Sequence, residues 1–310
     1  MDTTLRTDLS DSFPRHLVAA GHTAVAAYFT GRWLPSAKKP KNFERTWYLY
    51  NQSSLTYQKT SWTYLDVAPG MHRAAVLDGQ LPTSRVGILD LSTNKVTRWI
   101  SFDHPVGGVS WAPDGRRLVV TAYDWNPDSF EHYGENLRTG FYVMDADAEP
   151  GTFHSLPGNS DNPNSRTDFK WSHSGTMLKT YTAMKPFWKF YDLNGKPQPT
   201  PPFEADSPEP AGLSPNGDLL TEFGPSTGPN ITVTNVKTNT VVAILPIEQA
   251  KAWADDDHLF AIGCAEKACK GSGEFHNRLL LVGLDGTITP LTGFQDSRKQ
   301  GAWSPVFTHR

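Results

Sequence analysis

The sequence predicts an all-β chain: a six-bladed β-propeller with four antiparallel strands per blade. Three observations carry this expectation. One pattern recurs, in which an apolar strand runs into a Pro, Asp, Asn or Gly turn and a second apolar strand returns. Its copies follow at steps of 44, 60, 42, 40 and 50 residues, a spacing that suits one four-stranded blade per copy. The first and last segments each look like part of a unit, as if one blade were shared between the chain ends.

The clearest copy is VSWAPDGRRLVVT at 109–121, and FKWSHSGTMLKTY (169–181) and KAWADDDHLFAIG (251–263) keep its Trp. AGLSPNGDLLTEF (211–223) has Leu213 at that position, and LDVAPGMHRAAVL (65–77) has Val67. GAWSPVF (301–307) reads as a truncated copy with Trp303 at that position, stopping where the chain stops. A third strand follows each complete hairpin: RVGILDL (85–91), GFYVMDA (140–146), WKFYDL (188–193), NITVTNV (230–236) and RLLLVGL (278–284). Turn signals such as Asn194-Gly195 and Asp285-Gly286 come next, because these residues tolerate positive φ. The fourth strands are KVTRWISF, GTFHSL, QPTPPF, TVVAILP and TITPLTGF. HTAVAAYFT (22–30), RTWYLYN (45–51) and TYQKTSW (56–62) supply the strands that the segment around Trp303 needs, so N- and C-terminal strands would close the ring in one blade. Residues 1–19 are an N-terminal extension and 20–310 a single domain.

Composition fits this reading. Among 310 residues, 24 Pro and 25 Gly promise many turns, and 10 Trp with 12% aromatics promise a large core. A net charge of −3 without a long basic run argues against nucleic acid. No apolar stretch approaches the roughly 18 residues of a membrane helix, and the N-terminus shows no secretory signal. A monomer is expected.

The Trp-Ser/Ala-Pro-Asp-Gly turn followed by an apolar strand resembles the repeat of TolB-type, WD-like propellers over about residues 20–308. The Gly-His and terminal Trp-Asp pairs of eukaryotic WD repeats are missing. The whole chain also resembles actinobacterial propeller proteins without an assigned activity, many of them extracytoplasmic. The resemblance implies a fold and leaves function open.

In a propeller the first strands line a central channel, and the loops between blades and between second and third strands gather at one mouth. The longest such loop, DWNPDSFEHYGENLRT (124–139), offers Asp124, Trp125, His132, Tyr133 and Arg138 to a ligand. Asp124, Asn126, Asp128 and Glu135 fall at calcium-loop positions, but Ser129 replaces the turn glycine; a polar surface loop is the other reading. Arg32 and Trp33 stand at the loop of the first blade, and Trp188 beside Phe187 in the fourth. Asp103 and His104, Arg166 and Asp168, and Asp296 precede channel strands. His104, His132, Asp168 and His276 are the candidate acid–base residues should the mouth be catalytic. Cys264 and Cys269 lie together near His276, and a local disulfide, two metal ligands or two free thiols are open to them. A disulfide would fit an exported protein whose leader is not in this chain; a cytoplasmic protein is the alternative.

No nucleophile elbow, phosphate loop or dinucleotide fingerprint is present. The expectation is therefore a non-catalytic propeller without a cofactor, holding a protein, peptide or small ligand at the loop face and channel mouth. A hydrolase or a lyase/cyclase with an Asp/His/Arg site is the alternative.

Overall fold

The computed structural model describes residues 3–10, 13–34, 42–129, 131, 137–158, 166–182, 186–201, 210–224, 230–263, 276–296 and 302–310. Every regular element among them is a β-strand. The first sheet contains β1 (Ala19–Ala20), β2 (Thr23–Trp33), β3 (Phe43–Asn51) and β4 (Thr56–Lys59). The second holds β5 (Tyr64–Val67), β6 (Arg73–Leu77), β7 (Thr83–Asp90), β8 (Lys95–Trp111), β9 (Arg117–Tyr123), β10 (Arg138–Asp145) and β11 (His154–Ser155). A third is β12 (Lys170–Trp171), β13 (Leu178–Tyr181), β14 (Trp188–Tyr191) and β15 (Pro197–Gln198). The fourth is β16 (Leu219–Phe223), β17 (Ile231–Asn235) and β18 (Thr240–Leu245). The fifth is β19 (Gln249–Trp253), β20 (His258–Gly263), β21 (His276–Gly283) and β22 (Ile288–Pro290), with β23 (Gln295–Asp296) paired to β21. The last strand, β24 (Ala302–His309), runs antiparallel to β2 from Thr23↔His309 to Gly31↔Ala302 and joins the chain ends.

Each sheet is a meander, and the inner strands of successive sheets surround one cavity: β5, the end of β8, β12, residues 210–213 and the end of β24 all line it. This is the arrangement of a propeller. The apolar clusters lie between neighbouring sheets, as alternation of side chains on a strand requires. One joins the first sheet to β5–β7 and to the fifth sheet through Trp47, Leu65, Val76 and Phe260. Others pack Phe141 against Phe169 and Trp171, and Ile231 against Trp253 and Leu259. Among the described residues no such cluster fills the seam between the third and fourth sheets.

The repeat Trp has a physical purpose that spacing alone did not reveal. Trp111, Trp171 and Trp253 end first strands, and each indole N–H donates to a carbonyl of the preceding unit: Asp66 O at 3.2 Å, Ser110 O at 3.0 Å and Gly212 O at 3.1 Å. One ring thus fills the seam and satisfies a buried acceptor across it. Trp303 does not belong to this set. It stands near the start of β24, where the chain stays extended and Pro305 pairs with Tyr28 inside the ladder.

A second departure concerns 102–108, expected as a loop between units. The segment is extended, so β8 runs unbroken for 17 residues and fuses two units into one seven-stranded sheet. Gly108 permits this, since a Cβ there would sit 2.2 Å from Asp168 Oδ1.

The N-terminal residues are tied to the ring. Asp8 donates its backbone N–H to Leu291 O, and its carboxylate accepts N–H groups of Arg15 and His16 at 2.8 Å. No helix among the described residues is long and apolar enough to cross a membrane.

Trp171→Phe should cost about 1 kcal/mol by orphaning the Ser110 carbonyl. Trp171→Ala should cost about 3–5 kcal/mol by opening a cavity; equilibrium urea unfolding measures both. For Asp8, burial pushes the carboxyl up, but hydrogen bonds from Ser10, His16 and Arg15 outweigh it and hold the group at about 2 against 3.8. A depressed carboxyl stabilises the fold above its ordinary pKa and loses that contribution as pH falls toward the folded value. Amide exchange at Arg15 and His16 should therefore accelerate as pH drops from about 4 toward 2 relative to Asp8→Asn, which lacks the transition.

Candidate functional site

Side chains two apart on an extended chain share a face. Arg166, Asp168 and Lys170, leading into β12, therefore form one file, and Tyr64 and Asp66 of β5 form another beside it. The first file begins at the channel end where the long loops gather, and the two files meet in a buried ionic network.

Arg166 is its hub. Nε and Nη2 donate to the two carboxylate oxygens of Asp128 at 2.8 and 3.0 Å, a fork-to-fork pair. Nη1 reaches Asp168 Oδ2 at 2.9 Å and Gly107 O at 3.0 Å, and the guanidinium lies 4.5 Å over the Tyr64 ring. Asp168 also accepts the hydroxyls of Tyr123 at 2.7 Å and Tyr64 at 3.0 Å. Arg45 of β3 completes the group by pairing with Asp128 Oδ2. Side-chain exposure is 16% for Arg166 and 8% for each carboxylate, so the charges are sheltered from water and screened weakly by salt.

The electrostatics follow. Burial would raise Asp168 and Asp128, but Arg166, helped by Lys170 at the first and Arg45 at the second, holds both below the ordinary carboxylate range. Burial would lower Arg166, yet Asp168 and Asp128 hold its proton more tightly than usual. Lys170 is likewise held protonated, against burial, by Tyr64, Asp66 and Asp168. Burial, then the nearby Asp168, pushes the Tyr64 and Tyr123 hydroxyls up. Asp66 departs from this pattern: burial raises it despite Lys170 and the N–H of Trp111. Apart from Asp66, every one of these groups is displaced away from neutrality.

Of the expected site residues, Arg166 and Asp168 come together here. Asp128 joins them as an ion-pair partner, with both oxygens on guanidinium groups, so the calcium geometry suggested for 124–135 is not carried by this residue. Asn126 Oδ1 instead accepts the Asp128 N–H in a local turn. Asp124 and Trp125 are exposed on the same segment. Arg138, expected on the loop, is 3% exposed and donates to the carbonyls of Thr167 and Leu156 at 2.9 and 3.2 Å, a structural assignment. His104 is drawn elsewhere because 102–108 is strand: its ring stacks on Phe153 at 3.7 Å and Nδ1 meets the Tyr142 hydroxyl at 2.9 Å. Asp103 beside it is exposed. Arg32 pairs with Glu44 on the surface of the first sheet. Trp188 packs edge-on against Tyr181 on β14. His276 and Asp296 are register partners in β21–β23, and Trp33 pairs with Phe43; nothing is described of these three side chains beyond the backbone. His132, Tyr133, Glu135, Cys264 and Cys269 lie outside the described residues. No cluster of three metal-ligating side chains occurs among the described residues.

Arg45, Tyr64, Asp66, Tyr123 and Lys170 do not stand out in the sequence as site residues because they lie in strands, outside the long polar loops. The available signal was polar residues at alternate positions of inner strands, as in Tyr64-Leu65-Asp66 and Asp168-Phe169-Lys170.

Beside the network, between β3 and the start of the second sheet, opens a cleft of about 400 Å³. Arg45 and Asp128 form its inner wall, Phe43, Trp62 and Leu81 its apolar surface, and Glu44 and Gln80 contribute polar groups.

Arg166→Met should destabilise the protein by about 3–5 kcal/mol, because two buried carboxylates lose their counter-charge. Tyr123→Phe should cost only about 1–2 kcal/mol, since Asp168 keeps Arg166. Urea melts at neutral pH check the order.

No family model matches this chain, and no curated protein matches it. Solved structures do. A chain of a mitotic checkpoint complex aligns over 94% of this chain and 82% of its own, with 13% identity and a TM-score of 0.46. TolB from Acinetobacter baumannii aligns over 92% of this chain and 67% of its own, with 16% identity and a TM-score of 0.47. The Cps50 (Swd1) β-propeller domain of Myceliophteria thermophila aligns over 90% and 89%, with 12% identity and a TM-score of 0.45.

Proposed function

We propose that this chain is a six-bladed binding propeller that holds an extended peptide segment of a partner protein at its loop face. Six blades follow if β8 closes one blade with its first half and opens the next with its second, which its register shift between Val106 and Gly108 supports. The reading rests on one observation: the ionisable groups at the mouth are spent on each other. A catalytic acid or base works best when its pKa lies near the working pH and its reactive atoms face the substrate. Asp128, Asp168 and Arg166 are displaced away from neutrality and directed at one another, which suits a rigid floor better than a proton shuttle.

The cleft over that floor supplies what a peptide needs. Phe43, Trp62 and Leu81 offer apolar contact, and Glu44, Gln80 and Asn126 offer hydrogen bonds at the edges. Aromatic anchors beside polar rims are the usual composition of a binding hot spot.

Selection of a random peptide library on the purified protein should enrich a common motif, and Trp62→Ala or Glu44→Ala should weaken its binding about tenfold or more by calorimetry. A library that yields no motif would count against the reading. So would turnover of ester, phosphate-ester or peptide substrates that Asp168→Asn abolishes.

A further inference from the structure

The opposite end of the channel holds a different kind of space. A cavity of about 550 Å³ opens where the first strands turn back into the second, and Pro69, Pro113 and His173 mark that face. It continues toward Trp188 and Pro210, at the seam between the third and fourth sheets where no apolar cluster packs among the described residues. Its volume is in the range of small-molecule sites.

The lining is asymmetric in charge. Lys170 faces the cavity from mid-channel, Lys179 stands at its side with Nζ 4.8 Å over the Trp188 ring, and His173 and His309 are exposed at the rim. Among the described residues Asp66 is the only carboxylate on the wall, and its Oδ2 already accepts the backbone N–H of Trp111 at 2.8 Å. Arg166 distributes its donors over Asp128, Asp168 and Gly107, whereas Lys170 makes no hydrogen bond or ion pair with any described residue. It is held charged at a distance by groups it does not touch. A buried ammonium is costly unless something accepts its protons. Water can do so in an open cavity, and an anion can do so better. The walls on either side are the rings of Trp171, Trp188 and Phe307.

We propose that this cavity is a second binding site, for a small organic anion whose carboxylate or phosphate group meets Lys170 and whose aromatic body lies along Trp188. The site is separate from the loop-face cleft, because the Arg166 network stands between them, and it does not depend on the peptide reading.

Calorimetric titration of the full chain with indole-3-acetate, phenyl phosphate, neutral indole-3-acetamide and inorganic phosphate tests it. At least one of the two aromatic acids should bind with one-to-one stoichiometry. The matching neutral amide should bind at least tenfold more weakly, and inorganic phosphate, lacking the aromatic body, more weakly than phenyl phosphate. Lys170→Met should reduce the acid to the level of the amide, and Lys170→Arg should retain it within a few-fold. Trp188→Ala should weaken the acid while melting near the wild-type temperature, and it carries the test if Lys170→Met does not fold. No saturable binding of either acid would overturn the proposal. Equal affinity for acid and amide, or wild-type affinity in Trp188→Ala, would do the same.

Discussion

The guanidinium of Arg166 is the point on which the centre of this molecule depends. It joins a loop carboxylate, Asp128, to a strand carboxylate, Asp168, and to the backbone of β8 at Gly107. Arg45 brings in the first sheet, and Tyr64 and Tyr123 bring in β5 and the end of β9. Segments far apart in sequence are therefore held by one planar cation and its two counter-ions. Buried charges of this kind are expensive to assemble and more expensive to break, because removing one leaves the others stranded. Their geometry is also directional, so they favour one register of strands around the axis.

Around that centre the repeat works by a simpler rule. A meander sheet exposes two apolar faces, and neighbours must cover both. The indoles of Trp111, Trp171 and Trp253 do this while donating to a carbonyl next door, so each of these three seams is both filled and hydrogen-bonded. Where the fourth sheet begins, Leu213 takes the Trp position and the first strand shrinks to a single bridge, Leu213↔Leu220. The neighbouring seam lacks an apolar cluster among the described residues, and the larger cavity opens toward it. A weakened repeat and a cavity are two views of one local change.

The two ends of the channel consequently differ in chemistry. At the loop end, opposite charges are matched and buried, leaving a firm polar floor beside an aromatic cleft. Toward the turn end opens a cavity walled by aromatic rings, which a mid-channel lysine faces. One scaffold can present a closed network and an open cation because alternate positions on the same file, 166, 168 and 170, sit at successive depths along the axis.

Much of this architecture was legible in the residues themselves. Strand positions such as 188–193, 230–236 and 278–284, the turns at Asn194-Gly195 and Asp285-Gly286, and the joining of the chain ends all follow from period-two apolarity and turn chemistry, which are local properties. Arg166 and Asp168 were also visible as charges placed just before an inner strand. Tertiary structure decided the rest. Tertiary structure set 102–108 extended, with Gly108 lying against Asp168, a residue sixty positions away, where a Cβ would not fit. That choice carried His104 out to Phe153 and away from the channel. The partners of Arg166 come from strands and a loop that no spacing rule connects, and Trp303 shares a motif with the other tryptophans but not their place. Local pattern determines which segments become strands and which faces are apolar, because those depend on neighbours along the chain. Which charges meet depends on how the sheets close around an axis, and only the folded ring brings distant positions within reach of a hydrogen bond.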